Sequence, residues 1–311
     1  MDLAAGVLAG DHRAVARAIS VVEREDPESA ALVGRLFART GRALVVGLTG
    51  APGVGKSTLA DRLTAAWRDR RQRVGVLAVD PTSPFTGGAI LGDRIRMQRH
   101  ASDSGVFVRS MATRGQLGGL ARAAYDALVI LDAAGTDVVL LETVGVGQAE
   151  VDVGRTADVS VVVVAPGAGD DVQAIKAGIM EIADVFVVNK ADRDGAGRAA
   201  TQIEGMLALR ESAPGAWRPP VIRTCAATGE GVEELRAAVI RFAEQGGSGP
   251  ERARSRARAR LEAILGARIA GAIAATGGLE DAVGAVAART ADPYAAVDTL
   301  LQRFVKERAG A

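Results

Sequence analysis

Nine consecutive residues, Gly50-Ala51-Pro52-Gly53-Val54-Gly55-Lys56-Ser57-Thr58, have the spacing of a loop that wraps phosphate. Its glycines let successive backbone N–H groups turn toward an anion, and a helix opening at its end adds a positive dipole. Lys56 has the reach for β- and γ-phosphates, and the Ser57 hydroxyl is an oxygen ligand suited to Mg2+. Downstream stands Asn189-Lys190-Ala191-Asp192. A carboxylate there can accept the N1–H and 2-amino hydrogens of guanine, whereas adenine would leave it buried and unpaired. Lys190 would lie along the base and Asn189 would brace the loop. The pair of motifs predicts a GTPase.

A further loop, Thr224-Cys225-Ala226-Ala227-Thr228-Gly229, closes a short apolar run and is similar to the Ser-Ala-x loop of GTPases, whose backbone N–H meets guanine O6. Main-chain atoms suffice there, so Cys225 in place of Ser is a mild departure. Cys225 reads as a small packed residue, since no histidine lies close in sequence to activate it. Asp80, Asp93 and Glu142 follow or close apolar runs. Mg2+ keeps several waters, so one carboxylate can bind directly while the others hold waters; a helix cap or solvated loop acid is the alternative for each. Gly145, in Glu142-Thr143-Val144-Gly145, occupies the place of the glycine in Asp-x-x-Gly and can offer its N–H to a γ-phosphate.

Lys56 heads the residues that would compensate charge on the phosphates. Asp170 belongs to a glycine-rich acidic stretch, Pro166 to Lys176, that reads as a switch. From it Gln173 or Lys176 can swing toward the nucleotide when a partner docks, as an arginine finger does; Lys176 as a solvated helix residue is the alternative.

These loops need a scaffold, and the apolar runs supply one. Leu44 to Leu48, Val74 to Val79, Val106 to Val108, Val138 to Leu141, Val159 to Val164, Val185 to Val188 and Val221 to Ile222 are short and nearly free of polar residues. Such runs suit parallel strands buried on both faces, and the amphipathic stretches between them predict right-handed crossovers. The fold class expected is α/β, a doubly wound, mainly parallel sheet. Residues 1–42 read as an N-terminal helical extension, 43–245 as the nucleotide domain, and 246–311 as a C-terminal helical extension after the breaker Gly246-Gly247-Ser248-Gly249-Pro250. In the last part Asp292 and Pro293 open a helix as N-cap and first helical residue.

The 311 residues are 48% hydrophobic but only 3% aromatic, so aliphatic side chains must fill the core. A net charge of +1 gives no general pull toward nucleic acid or anionic membrane. One cysteine precludes an internal disulfide, and the apolar runs are too short to span a bilayer; a cytoplasmic protein is expected. Arg252, Arg254, Arg256, Arg258 and Arg260 alternate with other residues and fall on two sides of a helix. They read as a solvated helix start, or as a contact for an acidic partner surface or for nucleic acid.

Taken together, Gly50 to Thr58, Val79 to Pro84, Leu91 to Met97, Glu142 to Glu150, Pro166 to Lys176 and Asn189 to Asp192 resemble the methylmalonyl-CoA mutase-associated GTPases, the MeaB, MMAA and ArgK family. The resemblance implies a metallochaperone-like P-loop GTPase with Mg2+ and GTP or GDP as its ligands. It implies a homodimer built through helical extensions, the C-terminal arm foremost. It also implies a chaperone that gates adenosylcobalamin loading, or rescue, of a cobalamin-dependent acyl-CoA mutase, with an adenosyltransferase as a second candidate partner. No cobalamin motif is visible, so the cofactor is expected on the partner. A nickel-type metallochaperone GTPase and a transport-associated ATPase or kinase are the rival readings. The first needs His or Cys ligands, and this chain has two His and one Cys; Asp192 speaks against the second.

Overall fold

The computed structural model describes residues 2–80, 98–100, 102–112, 122–143, 156–167, 181–209, 216–247, 249–275 and 277–309. Each apolar run forms a strand: β1 (Leu44–Thr49), β2 (Val74–Asp80), β3 (Val106–Ala112), β4 (Val138–Thr143), β5 (Val159–Val164), β6 (Val185–Asn189) and β7 (Val221–Thr224). They form one sheet in the order β3-β2-β4-β1-β5-β6-β7, with every pairing parallel. From β1 the chain moves outward to β2 and β3, returns to insert β4, then crosses to β5 on the far side of β1. The order therefore reverses at β1, and a crevice opens beyond its C-terminal end, where open α/β sheets take ligands.

Side chains alternate between two covered faces. On one, Val46, Leu48, Val76, Leu140, Val161, Val163 and Val187 pack against α4 (Lys56–Arg68), with its wholly buried Trp67, and against a helix over Val232–Phe242. On the other, Leu77, Val79, Val139 and Leu141 meet α5 (Arg122–Ala133) and the N-terminal helices α1 (Leu3–Leu8), α2 (His12–Glu23) and α3 (Ser29–Phe37). Those three helices thus complete the layer over that face. Farther along, Val162, Phe186 and Val188 pack against α6 (Ala196–Ala208). The helix over Val232–Phe242 is α7 in chain order.

A repeated device fixes the start of the central strands. Asp137, Asp158 and Asp184 each stand immediately before a strand, and each takes the N–H of a neighbour: Arg73 N to Asp137 Oδ2 at 2.6 Å, Val45 N to Asp158 Oδ2 at 2.8 Å, Ser160 N to Asp184 Oδ2 at 2.8 Å. Two of these acids also receive arginines from α8 (Pro250–Ala275). Arg252 forks onto both oxygens of Asp184 at 2.9 and 3.0 Å and lies over the Phe242 ring; Arg256 pairs with Asp158 at 2.6 Å. The arginine run, expected to be solvated or partner-facing, therefore spends two of its members on the protein's own acids, four residues apart on one helical side.

The chain divides into two compact units, Met1–Arg256 and Ala257–Ala311. In the second, α9 (Gly278–Ala287) and α10 (Pro293–Ala309) follow the rest of α8. Asp292 caps α10 as expected, its Oδ1 accepting from Tyr294 N at 2.9 Å and Ala295 N at 3.1 Å. Leu261, Leu265, Val283, Tyr294, Val297 and Val305 of this unit are exposed. Among the described residues no single helix is long and apolar enough to cross a membrane.

Candidate nucleotide-binding site

The loop Gly50–Gly55 joins β1 to α4, and Lys56 is the first residue of that helix. Two glycines are obligatory. Gly50 has φ 138° and its missing Cβ would strike the Val163 carbonyl of β5; Gly55 has φ 99° and its Cβ would strike Asn189 Nδ2. The remaining loop residues follow the same path: Val54 is buried, Pro52 and Gly53 are exposed, and Ala51 is half-buried. Lys56 is buried, its ammonium donating to Gly50 O at 2.6 Å and Ala51 O at 3.0 Å. The cation is thus held at the mouth of the loop by carbonyls that a phosphate can replace.

Ser57 donates from Oγ to Glu142 Oε1 at 2.6 Å, joining the start of α4 to the end of β4. Glu142 is buried, and its register partner on β1 is Leu48. A hydroxyl and a carboxylate are the hard oxygen donors that Mg2+ prefers, so this pair fits that ion. Just beyond, the buried hydroxyls of Thr49 and Thr143 have no hydrogen-bond partner among the described residues. Thr58 follows on the first turn of α4 and is exposed. Asp80 closes β2 opposite Ala112 of β3, at the same edge of the sheet. Asp93, Gly145, Asp170, Gln173 and Lys176 lie outside the described residues.

The residues expected to read the base come together around Asn189, the last residue of β6. Its Nδ2 donates to Val54 O at 2.8 Å, and its Oδ1 accepts from Ala226 N at 3.0 Å and Thr224 Oγ1 at 3.1 Å. One buried amide therefore ties the phosphate loop to both later loops. Lys190 adopts a left-handed backbone, φ 56°, which turns its side chain onto Gly53 O at 2.6 Å. Such a conformation costs a β-carbon residue about 1 kcal/mol and is held here by its surroundings. Asp192 is exposed two residues on. Ala191 N donates to Thr224 O at 3.0 Å, bringing the 189–192 and 224–229 loops side by side. Cys225 is buried and free, its N–H spent on Glu230 O at 3.0 Å; Ala226 is buried and Ala227 exposed.

A residue that no motif marks joins this group. Arg62, in the middle of α4, donates from Nε to Ala226 O at 3.0 Å and from Nη2 to Ala227 O. It is one of 38 basic residues, and its spacing from Lys56 gives no hint of the contact. Asp61 beside it is buried and meets Arg99 and, at 3.2 Å, His100 Nε2.

The profile of the family described as methylmalonyl Co-A mutase-associated GTPase MeaB matches residues 15–275. A protein of Pyrococcus horikoshii that bears a GTPase name is 49% identical over 302 residues, 95% of each chain. The GTPase ArgK of Escherichia coli is 38% identical over 240 residues, 75% of this chain and 72% of its own. The mitochondrial methylmalonic aciduria type A homolog of Caenorhabditis elegans is 37% identical over 254 residues, 76% of this chain and 64% of its own. Among solved structures, a LAO/AO transport system kinase superposes with TM-score 0.70 at 25% identity, covering 98% of this chain and 97% of its own. HypB from Helicobacter pylori, in complex with nickel, superposes with TM-score 0.51 at 19% identity, covering 73% and 98%, and shares the fold.

Proposed function

The chain belongs to the methylmalonyl-CoA mutase-associated GTPase family, and on that footing we propose that it hydrolyses GTP to gate adenosylcobalamin loading or rescue of a cobalamin-dependent acyl-CoA mutase. The observation that supports guanine nucleotide best is the Asn189 bridge, which sets the phosphate loop and both base loops at one strand end with Asp192 exposed beside them. In this reading Lys56 leaves Gly50 and Ala51 for the β- and γ-phosphates, and the loop N–H groups hold the anion. Ser57, Glu142, Asp80 and Asp93 would hold Mg2+ or its waters. When bound, that ion would supply positive charge to offset that of the phosphates.

Among the described residues at the phosphate end, no side chain is placed as a strong base for water, so we expect slow intrinsic hydrolysis. The partner would raise it through the segment that contains Asp170, Gln173 and Lys176, with Gly145 sensing the γ-phosphate. Partner affinity and GTP affinity must then rise together, because the coupling is reciprocal. The exposed apolar side chains of the second unit suit a homodimer contact, and a cytoplasmic location agrees with the lone unpaired cysteine.

Turnover of GTP and ATP, measured with and without a cobalamin-dependent methylmalonyl-CoA mutase, tests the reading. GTP alone should be used, at roughly 10⁻³ s⁻¹ without the mutase and at least about tenfold faster with it. Equal use of ATP, or phosphate transferred to protein, would favour a transport-linked kinase. A rate indifferent to the mutase would remove the gating role and leave the GTPase.

A further inference from the structure

The base loop contains one main-chain donor that the fold has aimed and not used. Among residues 226–228, Ala226 N donates to Asn189 Oδ1 and Thr228 N to Cys225 O at 3.1 Å. The N–H of Ala227 has no acceptor among the described residues, and Ala227 is exposed. Its direction is nevertheless fixed. In a trans peptide the carbonyl and the N–H of one unit point to opposite sides. The Ala226 carbonyl is held by Arg62 Nε at 3.0 Å, and the next carbonyl, that of Ala227, by Arg62 Nη2. A rigid planar fork on two successive carbonyls sets the tilt of the peptide between them, which a flexible ammonium would not do. Ala227 N–H consequently faces away from α4, and a positive charge at the carbonyl end strengthens it as a donor.

We infer that Arg62 is a positioning residue for base selection: it grips the Ala226 and Ala227 carbonyls from the phosphate-loop helix and so presents the Ala227 N–H to O6 of the purine. The inference rests on the guanine-nucleotide reading and divides the work of recognition within it. Asp192 reads the N1–H and 2-amino side, and Arg62, acting through one peptide, sets the donor on the O6 side. Because Arg62 and Lys56 share α4, the phosphate grip and the O6 donor stand on one rigid element.

The test uses the full-length protein, with competition binding of GDP, ADP, IDP and 6-thio-GDP to wild type, Arg62→Met and Arg62→Lys. Sulfur at position 6 is a weak acceptor, while N1–H and the 2-amino group remain; IDP keeps O6 and lacks the 2-amino group. Wild type should prefer GDP to all three. In Arg62→Met the preference for GDP over 6-thio-GDP should fall about fivefold, the size of one ordinary hydrogen bond, with the GDP-to-IDP ratio unchanged. Arg62→Lys, able to make one bond of the two, should fall between, and it alone supplies the reading should Arg62→Met fail to fold. A GDP-to-6-thio-GDP ratio equal to wild type overturns the inference, even if affinity drops uniformly for every nucleotide. Wild type that binds ADP as tightly as GDP would instead sink the guanine reading itself.

Discussion

The two edges of the central sheet handle polar groups in opposite ways. At the edge where strands begin, Asp158 and Asp184 each hold a main-chain N–H and an arginine, leaving little capacity over; the Ser160 hydroxyl is the exception. At the edge where strands end, buried or aimed groups keep capacity in reserve. Lys56 rests on two loop carbonyls, the Thr49 and Thr143 hydroxyls and the Ala227 N–H find no partner among the described residues, and Lys190 holds a left-handed backbone. Unspent hydrogen bonding near a buried cation costs stability, and proteins keep it where a ligand will supply the missing partner. One edge is built for rigidity and the other for exchange.

Substitutions can set the two edges against each other. The largest effect should come from Lys56→Ala, which removes the cation at the phosphates and should lower GTP turnover about 10²–10³-fold, with little change in the urea midpoint of unfolding. A variant that lost stability in proportion would mean that Lys56 serves the fold. Asp184→Ala should do the reverse: with Ser160 N–H and Arg252 left without their acceptor, it should cost about 2–3 kcal/mol in urea unfolding and leave GDP affinity within about twofold.

Asp184 also gives the beginning edge a pH signature. Burial raises its carboxyl above the ordinary value of 3.8, although Arg252 and the Ser160 N–H pull it down. The folded state then holds the proton more tightly than the unfolded chain. The linked stability is complete below the unfolded value and is lost as pH rises through the folded one. Asp184→Asn should lack that decline in a series of unfolding curves. The smallest effect belongs to Cys225→Ser. Only the main chain at that position touches its neighbours by hydrogen bond, so GDP affinity should stay within about twofold, with about 1 kcal/mol lost for burying a hydroxyl.

Strands were legible wherever both faces are buried, because such strands are apolar throughout: β4, β5 and β6 agree with their runs to within a residue or two. The run Val106 to Val108 is shorter than β3, which continues through Arg109 and Ser110. As an edge strand β3 tolerates polar residues, and Arg109 is matched by Glu23 of α2 at 2.5 Å, a partner far away in sequence. Helical periodicity in residues 1–42 was clear, whereas the face it covers depends on packing that no local pattern encodes. At the candidate site, Gly50 to Ser57 and Asn189 to Asp192 stand out in the sequence because binding phosphate and purine would demand fixed spacings. Arg62 does not, since its partners are carbonyls, which every residue has. Asp137, Asp158 and Asp184 left a trace that passes easily for loop polarity: each is an aspartate directly followed by valine at the start of an apolar run.

Those three aspartates sit on the steps of a stair. β4 starts level with β1, Leu44 lying opposite Val138, but β5 starts two residues along β1, at Val46, and β6 two residues along β5, at Val161. The carboxylates of Asp158 and Asp184 bridge those two steps. The ends climb in the same direction: Thr49 lies opposite Val162, Val164 opposite Val188, and Asn189 stands one residue farther. A residue inserted into β5 would change the height of one step, and the loops resting on it could no longer meet around a single nucleotide.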